Sequence, residues 1–202
     1  MKMIGSRSLF VAGMALALAA CGGGGGGGSE QVTEEVVSDS VTYPPTGPLG
    51  KYVGAYSFCK DYTEYKIEFS ATQDNDLSAD VREMTYENQD CTGPMVVMFG
   101  WDAPANVAFL SSGISTVQGG AGLPASLALD KVMLSVQEVR VQLSGPGVKG
   151  NCATSAKGTW CYDLTKPQSS EQAGAMYLAG NKLYELQLNN GVYSVTNVYT
   201  KR

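Results

Sequence analysis

The chain predicts an all-β domain: an antiparallel meander of short strands, bent as strands bend in a small barrel or, alternatively, in a β-sandwich. Three observations carry this. Apolar and polar residues alternate with a period of two, as where Tyr65, Ile67 and Phe69 interleave with Lys66, Glu68 and Ser70. Turn signals recur at short spacing, and Asn190-Gly191 between two alternating runs is the strongest hairpin signal in the chain. The longest β-rich run, residues 127–143, holds Val132, Leu134 and Val136 on one parity and Val139, Val141 and Leu143 on the other. A bulge near Gln137-Glu138 accounts for that switch and bends the strand.

The elements follow in order. In residues 50–59, Tyr52, Gly54, Tyr56 and Phe58 share one side of a first strand. Residues 65–70 form a half-buried strand, and Gln73-Asp74-Asn75-Asp76 forms a turn. The next run carries Leu77, Ala79 and Val81, then Met84 and Tyr86 on the other parity, which implies a bulge at Arg82-Glu83. A helix competes here, because Leu77, Val81 and Met84 also fit helical spacing; the preceding turn and the Thr85-Tyr86 ending favour a strand. After Cys91-Thr92-Gly93-Pro94, the apolar residues 95–101 predict a strand buried on both faces. Residues 107–110 start another strand, residues 113–124 are a glycine-rich loop, and Ser144-Gly145-Pro146-Gly147 ends the long run. Residues 159–164 make a short strand. Residues 167–173 can hold one helical turn with Ser169 as N-cap. Residues 175–178, 182–188 and 192–199 complete the meander around Gly180-Asn181 and Asn190-Gly191, with no internal repeat.

The first 48 residues read differently. Lys2 and Arg7 precede an apolar run, residues 9–18, of signal-peptide length and too short to span a bilayer comfortably. It ends in Leu18-Ala19-Ala20-Cys21, which resembles the lipobox of bacterial lipoproteins. The resemblance implies that residues 1–20 are a signal peptide. It also implies that Cys21 becomes the first residue, bearing a diacylglyceryl thioether and an N-acyl chain. One chain binds a membrane only marginally, at about 0.8 kcal/mol per buried methylene, whereas two or three hold firmly. Gly22 rather than aspartate after the cysteine favours the outer membrane, on its periplasmic or surface face, over the inner. The competing reading is an ordinary secretory signal with Cys21 incidental. Residues 21–48 add a glycine run, Glu30, Glu34, Glu35 and Asp39 without a base, and then Pro44-Pro45-Thr46-Gly47-Pro48. Such composition does not offset its ordering entropy, so the segment reads as a flexible tether reaching roughly 30 Å. Residues 49–202 are left as a single domain of common size.

Of 14 bases and 19 acids, Lys2 and Arg7 fall in the signal and four acids in the tether, so the domain carries a net charge of about −3. No basic cluster is legible, which argues against nucleic acid as a partner. Four of the five cysteines, Cys59, Cys91, Cys152 and Cys161, lie in the domain, and in an exported chain they read as two disulfides. Three pairings are open. The one nearest in sequence, Cys59–Cys91 and Cys152–Cys161, is preferred, with Lys157-Gly158 as a turn inside the second loop. The loop-entropy argument assigns these bridges about 3.5 and 2.5 kcal/mol.

Gly54-Ala55-Tyr56 with Cys59, followed after a hairpin by Cys91-Thr92-Gly93, resembles a group of bacterial lipoproteins that open on a glycine–aromatic strand and have lipocalin-like, small-barrel architecture. It covers residues 49–94. Tyr56 stands where lipocalins have tryptophan. The resemblance implies a fold rather than an activity, and makes the barrel mouth the place to seek a ligand.

The chain has no histidine, so neither a Ser-His-Asp triad nor a histidine-ligated zinc can be built. Asp74, Asp76 and Asp80, and Asp61 with Glu64, are carboxylates close in sequence, but turn formation explains the first set. Asp74-Asn75-Asp76 begins like a calcium loop, yet Ala79 and Thr85 occupy its essential glycine and glutamate positions. Gly119-Gly120-Ala121-Gly122 lacks the Gly-Lys-Ser/Thr of a phosphate loop. Ser57 reaches Lys60 at the S-x-x-K spacing only within a strand. No catalytic group, metal site or cofactor is therefore expected beyond the covalent lipid on Cys21. Tyrosines on predicted strands are the remaining suggestive set, and Tyr56, Tyr65, Tyr86 and Tyr184 are the candidate ligand contacts, against sheet packing as the plainer role. The expectation is a membrane-anchored, non-catalytic binding module for a small apolar ligand or an envelope partner. The alternative is a structural or interaction lipoprotein with a filled core.

Overall fold

A computed structural model describes residues 47–118 and 122–202. Apart from one 3-10 turn, Gly50–Tyr52, every regular element among them is a strand. These are β1 (Gly54–Lys60), β2 (Thr63–Ala71), β3 (Leu77–Tyr86), β4 (Met95–Trp101), β5 (Ala105–Thr116), β6 (Ser126–Val139) and β7 (Val141–Ser144). There follow β8 (Val148–Lys149), β9 (Cys152–Ser155), β10 (Gly158–Cys161), β11 (Gln168–Ala179), β12 (Lys182–Asn189) and β13 (Val192–Lys201). All strand-to-strand pairing is antiparallel.

Eight strands close a hydrogen-bonded ring in the order β1, β2, β3, β5, β6, β11, β12, β13 and back to β1. The far edge of β3 is shared: residues 77–79 pair with β5 and residues 82–86 with β4. At that fork β4 leaves the ring, carrying β7 on its other edge. Strands β8 to β10 form a separate three-stranded sheet. Its tie to β4 depends on glycine. Gly145 has φ 114°, and a Cβ there would strike the Val96 carbonyl. The Gly147 N–H donates to that same oxygen at 2.8 Å.

Alternation decides what the ring holds. Tyr56, Ile67 and Val81 stand in one row across β1, β2 and β3, with Phe69 and Ala79 beside them, and all are buried. Across β5 and β6, Val107 faces Leu134 and both are buried. A second core lies on the opposite face of β6, β11 and β12. The β5–β6 hairpin outruns the ring, and Val117 bridges Tyr193. Beneath it Leu129, Ala175, Tyr184 and Leu186 are buried together. The antiparallel all-β expectation holds; the closed ring is barrel-like, and the folded-back hairpin adds a layer as in a sandwich.

The predicted bulge at Gln137-Glu138 is present: Val136 pairs with Ser170 and Val139 with Gln168, and Glu138 has φ 53°. The bulge expected at Arg82-Glu83 is not. Strands β2 and β3 pair without interruption from Ala71–Leu77 to Thr63–Thr85. Met84 and Tyr86 belong to the outward face, half-buried beside the edge-paired β4, so the apparent parity switch is a change of face. Strand β4 is half-buried on both faces, with Val97 its one fully buried residue, because it sits beyond the fork. Residues 113–116 extend β5 rather than opening a loop. Residues 168–173 are strand, not a helical turn, and the Ser169 hydroxyl accepts the Glu138 N–H at 2.8 Å. That side chain serves the bulge instead of capping a helix. The disulfides are Cys59–Cys91 and Cys152–Cys161, the preferred pairing. Cys152 and Cys161 face each other directly across the β9–β10 hairpin.

Candidate functional site

Cys21 lies outside the described residues, as does the tether up to residue 46. The four tyrosines do not converge. Tyr56 is fully buried among the ring's inner side chains, and its hydroxyl has no hydrogen-bond partner. Tyr65 also faces inward, half-buried, and stacks on Phe58 at 4.8 Å between centroids. Tyr86 faces outward and donates to Glu64 at 3.0 Å. Tyr184 is buried in the second core, tilted against Tyr177. Two of the four thus share the ring interior, and the other two lie outside it.

The ring interior is occupied by the protein's own groups. At one end the 3-10 turn seats Leu49 and Tyr52, both essentially inaccessible. The Tyr52 hydroxyl donates to Asp130 Oδ2 at 2.5 Å and lies 3.0 Å from the Met176 carbonyl. Ser112 donates to Asp130 Oδ1 at 2.5 Å, and Lys51 Nζ pairs with Oδ2 at 2.5 Å. Burial alone would raise the Asp130 carboxyl. The hydrogen bonds from Lys51, Ser112 and Tyr52 outweigh it and hold the group below the usual aspartate value. Burial, and donation to Asp130, push the Tyr52 hydroxyl up.

Glu185 stands in the same row, since Asp130 pairs with Met176, Met176 with Glu185 and Glu185 with Asn197. It is buried without a base. Asn197 Nδ2 donates to its Oε2 at 2.7 Å, and the Tyr199 hydroxyl lies 3.4 Å from that oxygen. Burial pushes its carboxyl up to about 7, against the pull of those two donors. Tyr199 is itself raised, by burial first and then by the carboxylates of Glu185 and Glu83. Near the β1–β2 turn, Lys157 at the tip of the β9–β10 hairpin donates to Thr63 Oγ1 at 3.2 Å.

The open concavity is elsewhere. A cleft of about 970 Å³ lies on the outward face of β2 and β3, beside the flap that β4 and β7 make. Glu68, Asp80 and Arg82 rise from the sheet, and Trp101, Asp102 and Gln142 come from β4, the turn after it and β7. Pairing puts Glu68 opposite Asp80, so the two carboxylates share one patch. Arg82 meets Asp80 through both Nε and an Nη, at 3.1 and 2.5 Å. Asp102 accepts the Arg140 N–H at 2.7 Å, which locks the turn between β4 and β5. Glu68 is half exposed, and its base is Lys66 at 3.5 Å. With Arg82 paired to Asp80 and Lys66 to Glu68, the cleft lining holds three carboxylates, Glu68, Asp80 and Asp102, against the one guanidinium of Arg82. No family model, no curated protein and no solved structure matches this chain.

Such a surface can hold a partner by charge and shape. Among the described residues no group of three or more His, Cys, Asp or Glu side chains is arranged to take a metal ion. The cleft escaped the sequence reading because its residues come from four separate segments. The one available signal was the polar parity of β2, where Lys66, Glu68 and Ser70 mark the outward face.

Proposed function

We propose that the protein is a membrane-anchored, non-catalytic binding module. It would be held at the cell envelope through a lipid on Cys21 and would engage an envelope partner in the outward cleft of β2, β3, β4 and β7. The observation that carries this reading is the contrast between a ring filled by side chains such as Tyr52, Tyr56 and Phe69 and an open, acidic cleft outside it. The lipobox resemblance supports the anchor, and the carboxylate-rich lining of the cleft favours a partner that presents basic groups. A small apolar ligand inside the ring would have to displace packed side chains. The expected alternative, an interaction lipoprotein with a filled core, therefore merges with the binding reading.

The test is co-purification of the full chain from the envelope of its own host, read by native mass spectrometry. The Glu68→Lys protein is expected to lose what the native protein retains, and Glu171→Lys, an exposed charge reversal away from the cleft, to keep it. Equal retention by both variants would remove the cleft from the account.

A further inference from the structure

Strand β5 has an edge that the fold leaves open. Strand β3 covers only Ala105, Asn106 and Val107. Beyond them the Phe109 N–H is taken by the Asp76 carboxylate at 3.3 Å. From there to the single bridge at Val117, no strand among the described residues pairs with this edge. Leu110 and Ile114 lie on this stretch at 52% and 75% exposure, two of the three exposed large hydrophobic side chains among the described residues. Folded proteins guard such edges with charge, proline or a bulge. Here the one bulge sits at the start, between Phe109 and Ser111, and there is no charge at all. The 27 residues from 103 to 129 carry no Asp, Glu, Lys or Arg, in a chain where 33 of 202 residues are charged.

We propose that this edge pairs with the same edge of a second copy of the chain, β5 against β5, about a two-fold axis near Ser112. Antiparallel pairing of a strand with itself is isologous, so each residue meets its counterpart across the axis. A charged strand would repel itself in that arrangement; an uncharged one does not. An axis at Ser112 places Leu110 of each copy at the register position opposite Ile114 of the other. The backbone N–H and C=O groups of residues 110–116 that point away from β6 gain strand partners. The surface involved is separate from the cleft, and the proposal does not rest on the cleft's function.

Sedimentation equilibrium of the full chain in excess non-ionic detergent micelles tests it, with hydrogen exchange of the β5 amides alongside. The expected result is a concentration-dependent dimer in which those amides of residues 110–116 that point away from β6 gain protection as copies associate. Ile114→Lys and Leu110→Glu should each weaken the dimer at least about tenfold. An equimolar mixture of the two should restore association, because the ammonium of Ile114→Lys in one copy then meets the carboxylate of Leu110→Glu in the other. Unchanged exchange at the β1–β2–β3 amides checks that each variant is folded. A chain that stays monomeric at every concentration overturns the proposal. So does a dimer that both variants leave intact, or a β5 edge equally protected at every dilution, which would mean that the chain's own N-terminal segment covers it.

Discussion

Asp130 and Glu185 stand in one row of one ring, with only Met176 between them, and their carboxyls move in opposite directions. Both side chains are shielded from water, but Glu185 is set deeper, and burial raises its carboxyl the more. Asp130 lies where the 3-10 turn brings in the Lys51 ammonium and the Tyr52 hydroxyl, and β5 adds the Ser112 hydroxyl. Glu185 meets only neutral donors, an amide and a phenol. The difference teaches that the closing turn is the electrostatic counterpart of the ring: it supplies the one cation that lets a carboxylate stay ionised inside. Two strands further along, deeper burial beside neutral donors favours a proton.

The largest expected effect comes from removing the satisfied carboxylate. Asp130→Ala leaves the Tyr52 and Ser112 hydroxyls without their acceptor and loosens the end of the ring. Urea unfolding at pH 7 should show a loss of about 4 kcal/mol. Glu185→Gln acts the other way. Because the folded carboxyl holds its proton up to about 7 against an ordinary 4.5, the unfolded chain sheds that proton first. Stability contributed at this site is therefore present at low pH, falls as the pH rises from about 4.5, and is fully lost above about 7. Glu185→Gln should be nearly neutral at pH 4 and gain about 2 to 3 kcal/mol at pH 8, flattening the stability profile between those limits. Asp130 has the opposite sign, its stabilisation being present above the ordinary aspartate range and lost as the pH falls below it.

Tyr56→Phe is a smaller change. The hydroxyl it removes is buried and unpartnered, so thermal unfolding should show a gain of about 1 kcal/mol. A loss of similar size would mean that the hydroxyl has a partner after all. Lys51→Met should cost least, about 0.5 to 1 kcal/mol, because the lysine side chain is half in water. Its sharper signature is a rise in the Asp130 pKa, readable by carboxyl chemical shifts.

Much of the fold was legible because period-two alternation and Asn-Gly turns are local signals. Strands β2, β12 and β13, the Gln137-Glu138 bulge and the Cys152–Cys161 hairpin all follow from residues near one another in sequence. What went astray depended on distant partners. Met84 and Tyr86 look like core residues until pairing with β2 places them on the outward face, with β4 along the neighbouring edge. Residues 168–173 carry a helix-start pattern that pairing with β6 overrides. The second core under Val117 was invisible because the hairpin covering it begins as a glycine-rich run. The site was less legible still. The tyrosines fit either role by composition, and the ring divides them between two faces. Asp130 and Glu185 gave no signal, since their alternation alone does not say that a lysine from residue 51 reaches one and not the other.

The central claim is that the ring is closed to ligands and that binding happens on the outward face. Amide hydrogen exchange of the full chain, with and without the partner captured from its host's envelope, tests it most directly. New protection is expected around Glu68, Asp80, Trp101 and Gln142, with Tyr65, Glu185 and Tyr199 unchanged. Protection gained at Tyr65, Glu185 and Tyr199, with the cleft untouched, would contradict it.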